Sequence, residues 1–247
     1  MKILLFALPL LCLTMSLCAA ETQFQSGRTQ TALIELYTSE GCSSCPPAEA
    51  WLSRLKDNPG LWKQFVPVAF HVDYWDRLGW RDRFSSSQWT ARQNRYAALW
   101  RNESVYTPAV VVNGREQRGW SSSELPQPNE KAAGVLTATS ADGKNFSIQF
   151  HPENGGSADW DAYVALLGAD ISSDVRAGEN SGRNLQHDFV VLDLQQAAMK
   201  SDGAALRAQL RSNSAADPRS RKALAVWVTR RGELAPLQAT GGWLSTQ

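Results

Sequence analysis

One stretch, Thr31 to Leu55 (TALIELYTSEGCSSCPPAEAWLSRL), constrains this chain more than any other. Ala32, Leu33, Ile34, Leu36 and Tyr37 make a short apolar run closed by a polar turn, Thr38 to Gly41, which is the pattern of a buried strand. Cys42-Ser-Ser-Cys45 follows, and Ala48 to Leu55 puts Trp51, Leu52 and Leu55 on one face of an amphipathic helix. Pro46 and Pro47 are compatible with that helix only in its first turn, where backbone N–H groups have no intrahelical acceptor. The spacing therefore predicts a C-x-x-C at a helix N-terminus, directly after a strand. Free N–H groups and the positive end of the helix dipole favour a thiolate at such a place.

Whether that pair is redox-active depends on the other cysteines. Residues 1–20 (MKILLFALPLLCLTMSLCAA) carry one basic residue, an apolar core from Ile3 to Leu17 and small residues before Glu21. This predicts a signal peptide cleaved after Ala20, an exported protein that is periplasmic or secreted, and no stable membrane span afterwards. Cys12 and Cys18 leave with the signal, so Cys42 and Cys45 are the only cysteines of the mature chain. A bridge between them closes too small a loop to constrain an unfolded chain much, which favours an active dithiol over a structural staple. With 25 Lys and Arg against 24 Asp and Glu, bulk charge gives no footprint for a nucleic-acid partner.

Further along, Phe65 to Tyr74 reads as a second apolar strand carrying His71 and Asp73, with Trp75 just beyond it. Residues 75–104 form an insert rich in Arg and Trp, with helical spacing of Trp89, Tyr96 and Trp100 between Ser87 and Trp100. A third strand follows Thr107-Pro108, and Asn113-Gly114 marks a hairpin turn. Gly119 to Pro128 reads as loop. From about Gly134 the pattern becomes short strands at regular spacing: Val135–Ser140, Asn145–His151, Trp160–Leu167, Leu185–Leu194, Leu206–Arg211, Ala223–Thr229 and Leu234–Thr240. That spacing predicts an all-β sandwich. The expected organisation is thus a signal peptide (1–20), an α/β domain (21–133) and an all-β C-terminal domain (134–247).

Three features of the first domain resemble the thioredoxin fold: Cys42-Ser-Ser-Cys45 at a strand-to-helix turn, Thr107-Pro108 opening the third strand, and Glu35 in the strand leading to the motif. More closely, ELYTSEGCSSCPPAEAWL, HVDYWDRLGWRDRFSS, RQNRYA, VYTPAVVVNG and GENSGRNLQHDFVV resemble the bacterial exported family called domain of unknown function 1223. The resemblance implies an α/β thioredoxin-like domain with a helical insert, followed by a β-sandwich-like C-terminal part. It implies no established substrate. The Thr107–Pro108 bond is expected to be cis, leaving the Thr107 backbone free to pair with an extended substrate beside the dithiol.

Roles can then be assigned. Cys42, nearer the turn and expected to be the more exposed, attacks a disulfide, and Cys45 resolves the mixed disulfide. Ser43 and Ser44 offer hydroxyls to the Cys42 sulfur. With Thr107 and Trp75 they are the candidate substrate contacts. Glu35 has two readings, proton acceptor for Cys45 or structural ion pair with an arginine. His71 also has two: third ligand, with Cys42 and Cys45, of a soft-metal copper(I) site, or hydrogen-bonded core residue. His187 is expected on a sandwich strand without chemistry, and Asp73 and Trp75 to organise the insert. The expected function is an exported thiol–disulfide oxidoreductase acting on proteins with thiols or disulfides, with a redox partner protein as a further candidate partner. It needs no cofactor beyond the Cys42–Cys45 disulfide. The alternative is a non-enzymatic copper-binding protein that uses the same cysteines.

Overall fold

The structure is a computed structural model that describes residues 22–121, 125, 130–142, 144–154, 159–199, 206–209 and 220–245. The expected signal peptide and most of the expected loop at 119–128 lie outside the described residues. In chain order the elements are β1 (Thr22–Gln25), β2 (Ala32–Thr38), α1 (Pro46–Ser53), β3 (Phe65–His71), α2 (Ser87–Trp100), β4 (Ala109–Val112) and β5 (Arg115–Glu116). They continue with β6 (Gly134–Ser140), β7 (Asn145–Pro152), β8 (Trp160–Ala169), β9 (Ile171–Asp174), β10 (Asn184–His187), β11 (Val190–Met199), β12 (Leu206–Gln209), β13 (Arg221–Arg230) and β14 (Pro236–Trp243).

This corrects the expected fold class. The described residues are dominated by fourteen strands, with only two α-helices, and one eight-stranded mixed sheet, ordered β14-β13-β8-β11-β3-β2-β4-β5, runs from the N-terminal part into the C-terminal part. An α/β thioredoxin-like domain with a helical insert, followed by a β-sandwich-like domain, does not describe it. The physical reason lies at one edge of β3. Its first edge pairs in parallel with β2 along its whole length. Its other edge would leave buried N–H and C=O groups unpaired, and β11 takes it, with Val190 opposite Ala69 and Ala69 N donating to Phe189 O at 2.8 Å. β8 and β13 then add antiparallel to β11 and to each other.

β8 shows how the two parts share a core. All ten of its residues are buried, Asp161 included, and from Ala162 to Ala169 it reads as a continuous apolar run rather than an alternating one. Trp160, Ala162 and Val164 pack with Leu136, Phe146, Ile148 and Phe150 of a four-stranded sheet, β1-β6-β7-β12. Tyr163, Ala165 and Leu167, on the other face, join the main core with Leu33, Phe70 and Trp227.

Alternation along β2 and β3 sorts what matters for the site. Glu35 and Tyr37 face α2, where Tyr96 meets Glu35, whereas Thr38 faces α1, where its hydroxyl donates to Glu49 at 2.5 Å. The helix expected over Ser87 to Trp100 forms there as α2, its N-terminus capped by Ser86, whose hydroxyl accepts from Gln88 N. Asn113 and Gly114 (φ 49° and 79°) turn β4 into β5, as their signal predicts. The single strand expected over Leu185 to Leu194 is broken at Phe189 (φ 59°), which sends β10 to a two-stranded ribbon with β9 and β11 to the large sheet. Among the described residues no helix is long and apolar enough to cross a membrane.

Candidate functional site

The strand-to-helix turn forms as its proline spacing requires: Cys45 is the N-cap of α1 and Pro46 and Pro47 open its first turn. Cys42 and Cys45 are joined in a disulfide. Both are fully buried while Ser43 and Ser44 are exposed, so the greater exposure expected of Cys42 is not found. A distant segment accounts for this. Asn180 Nδ2 donates to both Glu40 O and Cys42 O at 2.9 Å, and Ser43 N donates to a Glu179 carboxylate oxygen at 3.0 Å. The loop between β9 and β10 therefore lies over the C-x-x-C. On another side Gly41 sits against Trp75, where an added Cβ would come within 3.1 Å of the Trp75 Cβ.

The other dithiol neighbours named from sequence gather here. The Thr107–Pro108 bond is cis. Ser44 Oγ lies 3.3 Å from Cys42 Sγ and donates weakly to Thr107 O at 3.5 Å, and Trp75 Nε1 donates to Thr107 Oγ1 at 2.8 Å. Because the Glu179 contact pins the loop, Glu179→Ala is expected to speed reduction of the Cys42–Cys45 disulfide by dithiothreitol several-fold, since exchange depends on access to sulfur. Stopped-flow tryptophan fluorescence measures that rate, and an unchanged rate means that the contact does not guard the disulfide.

Glu35 goes elsewhere. Arg92 donates to both of its oxygens (2.7 and 3.0 Å), and the hydroxyls of Tyr37 (3.0 Å) and Tyr96 (2.6 Å) complete the set. This is the ion-pair reading. The proton-acceptor reading is corrected, because strand alternation puts Glu35 on the face of the sheet opposite α1.

On the α1 face lies a buried cluster drawn from four segments. His71 Nδ1 is 2.6 Å from Asp82 Oδ2. His187 Nδ1 is 2.5 Å from Glu49 Oε2, and its Nε2 makes a charge contact with Glu40 Oε1 at 3.2 Å without hydrogen-bond alignment. Trp80 Nε1 donates to Glu40 at 2.6 Å, and the two imidazole rings meet edge to face at 5.2 Å. Burial alone pushes His187 down, but the charges of Glu49 and Glu40 outweigh it and hold the ring up to about 10. Burial likewise lowers His71, and Asp82 beside it reverses the sign. Glu40 is raised by burial yet ends at about 2 through His187 and Trp80, and Glu49 also ends below its ordinary value, through His187.

The signs fix a stability profile. The histidine contribution is complete below the ordinary histidine value of 6.5 and is lost as pH rises toward about 10. The carboxylate contribution is complete above the ordinary value of 4.5 and is lost as pH falls toward about 2. In buffer containing EDTA, the urea midpoint is expected to be higher near about pH 5.5 than near about pH 3 or about pH 9, a tenfold change in proton affinity on folding being worth roughly 1.4 kcal/mol. His187→Gln should flatten the alkaline limb, and an alkaline limb of unchanged slope would exclude His187 as its source.

Sequence reasoning missed Glu40, Glu49, Asp82, Glu179 and Asn180, and read His187 as inert. One signal was available. Cys45, Ala48, Glu49 and Leu52 follow i, i+3, i+4, i+7, the buried stripe that α1 shows, whereas Trp51 is only half-buried. The structure does not bring the three ligands of the expected copper site together as a group: the ligand atoms that gather near His71 belong to Glu49 and His187, not to cysteine.

Fold and site together define a β-rich protein in which a C-x-x-C opens the helix that carries Glu49 into a buried histidine–carboxylate cluster. The chain belongs to the family described as "Protein of unknown function (DUF1223)", which matches residues 33–229. It is similar to the crystal structure of Protein AGR_C_4864 from Agrobacterium tumefaciens, with 22% identity and a TM-score of 0.62 over 87% of this chain and 95% of that one. It is also similar to HBP35 of Porphyromonas gingivalis, with 10% identity and a TM-score of 0.57 over 89% of this chain and 76% of that one. These likenesses concern the fold. No curated protein matches the sequence.

Proposed function

We propose that this protein is an exported thiol–disulfide oxidoreductase, acting in the periplasm or after secretion, that uses Cys42 and Cys45 on protein disulfides. The observation that carries the reading is the Cys42–Cys45 disulfide at the N-terminus of α1, with Ser44 bridging toward Thr107 beside Pro108. In the reduced protein the Cys42 thiolate attacks one sulfur of a substrate disulfide, and the other substrate sulfur leaves as a thiolate. Cys45 then attacks Cys42, releasing the second substrate thiol and re-forming the Cys42–Cys45 bond. The reverse sequence oxidises a substrate dithiol. Exposed Ser43 and Ser44 and the Thr107 backbone line the approach, and the Glu179–Asn180 loop must shift for a substrate sulfur to reach Cys42. Export agrees with residues 1–20 and with a compartment in which disulfides persist.

The test is the reduction potential of the pair, by equilibration against glutathione. A value of about −120 to −200 mV supports an oxidant or isomerase and one near about −270 mV a reductant. A value well below about −300 mV overturns the proposal, because physiological thiols would not reduce such a bridge.

A further inference from the structure

Beneath the dithiol, three elements each bring one side chain to the same buried point: Glu49 from α1, His71 from β3 and His187 from β10. One nitrogen of each histidine and one Glu49 oxygen lie within 4.8 Å of one another. A second observation points to a ligand. His71 Nε2 is buried with no hydrogen-bond partner, on a side chain only 1% exposed, a situation native interiors rarely tolerate. Each ring is also backed by a carboxylate. Asp82 holds Nδ1 of His71, which leaves Nε2 turned away from it, and Glu40 flanks Nε2 of His187. Carboxylates in that outer position orient a metal-binding imidazole and raise its basicity.

We propose that His71 Nε2, His187 Nδ1 and a Glu49 carboxylate oxygen bind one divalent transition-metal ion, with zinc(II) the best match. Two imidazoles and a carboxylate are an established zinc donor set. Calcium and magnesium take oxygen ligands, and a group without sulfur does not suit copper(I). The ion replaces two protons, the one between His187 Nδ1 and Glu49 Oε2 and the one on Nε2 of a His71 imidazolium, and both leave to solvent. A dication carries the same charge as two imidazolium protons, so Glu40, Glu49 and Asp82 are balanced equally by either. The ligands are buried, which shields the ion from bulk solvent, and three protein donors leave the fourth tetrahedral position to a further ligand. The site ties α1, β3 and β10 together, and Asn180, bonded to both Glu40 O and Cys42 O, links it to the backbone beneath Cys42. The thiol chemistry proposed above does not depend on it.

The experiment is equilibrium dialysis of the chelator-stripped protein against cobalt(II) and zinc(II), with elemental analysis and the cobalt ligand-field spectrum. One ion per chain is expected in the wild type and equally in Cys42→Ser/Cys45→Ser, with no thiolate-to-cobalt charge-transfer band in either. Asp82→Asn should bind roughly 10- to 100-fold more weakly, and His71→Gln and His187→Gln should lose the ion. A folded wild type that binds neither metal stoichiometrically overturns the proposal and leaves a cluster balanced by protons alone. Binding that survives both histidine substitutions, or a sulfur charge-transfer band, overturns it too. The wild type and the double cysteine variant decide the matter even if a histidine variant fails to fold.

Discussion

Glu35→Ala is expected to cost about 3–5 kcal/mol of folding stability, the usual penalty for stranding one partner of a buried ion pair. The pair is almost completely out of water, with side-chain exposures of 6% for Arg92 and 1% for Glu35. Arg92 is also enclosed by rings, its guanidinium carbon 5.5 to 5.6 Å from the centroids of Phe70, Tyr96, Tyr163 and Trp227. Without Glu35 that charge has no counter-ion, and Tyr37 and Tyr96 lose their carboxylate acceptor. Glu35→Gln should cost most of the same amount, since it keeps the shape and removes the charge. Glu35→Leu combined with Arg92→Met should recover part of the loss, because no uncompensated charge remains. Urea unfolding measures all four proteins, and a double variant no more stable than Glu35→Ala would refute the stranded-charge explanation. Under conditions where Glu35→Gln stays folded, its thiol exchange rate should match wild type, because the carboxylate lies across the sheet from α1.

Cys42→Ser should reduce turnover of a model protein disulfide to background, and Cys45→Ser should leave a trapped mixed disulfide on Cys42. The asymmetry follows from position. Cys45 is the N-cap residue of α1, whereas Cys42 lies on the preceding turn, with Ser44 Oγ at 3.3 Å and exposed serines beside it. Non-reducing electrophoresis and mass spectrometry of the adduct identify the attacking sulfur. Trapping by Cys42→Ser instead would reverse the assigned roles, and no adduct with either variant would remove the dithiol from protein disulfide chemistry. The Glu179→Ala variant bears on the same step, since the loop it releases is hydrogen-bonded to the backbone of Cys42 and Ser43.

Local signals were legible in the chain itself. The two prolines fixed where α1 starts, Asn113-Gly114 fixed a hairpin, and Trp and Tyr spacing marked α2 from Ser87 to Trp100. Each depends on neighbours a few residues apart, whose backbone preferences act before any packing. Cys42, Ser43, Ser44 and Cys45 were placed by local motif spacing, whereas Thr107 and Pro108 were named from the resemblance to the thioredoxin fold. The fold class was not readable. Nothing within β3 says that its free edge will be taken by β11, more than a hundred residues away, so the two parts looked like separate cores.

The cluster under the dithiol shows the same division. The sequence by itself determined a dithiol after a strand, because strand, turn and helix-start chemistry are local. Which acid belongs to which base was decided only by the tertiary structure. One-residue alternation in β2 and β3 sends Glu35 to Arg92 and His71 to Asp82, and the turn at Phe189 delivers His187 to Glu49. A buried charge is tolerated only beside its counter-charge, and the distances between these partners are set by the sheet that joins them, not by their separation along the chain.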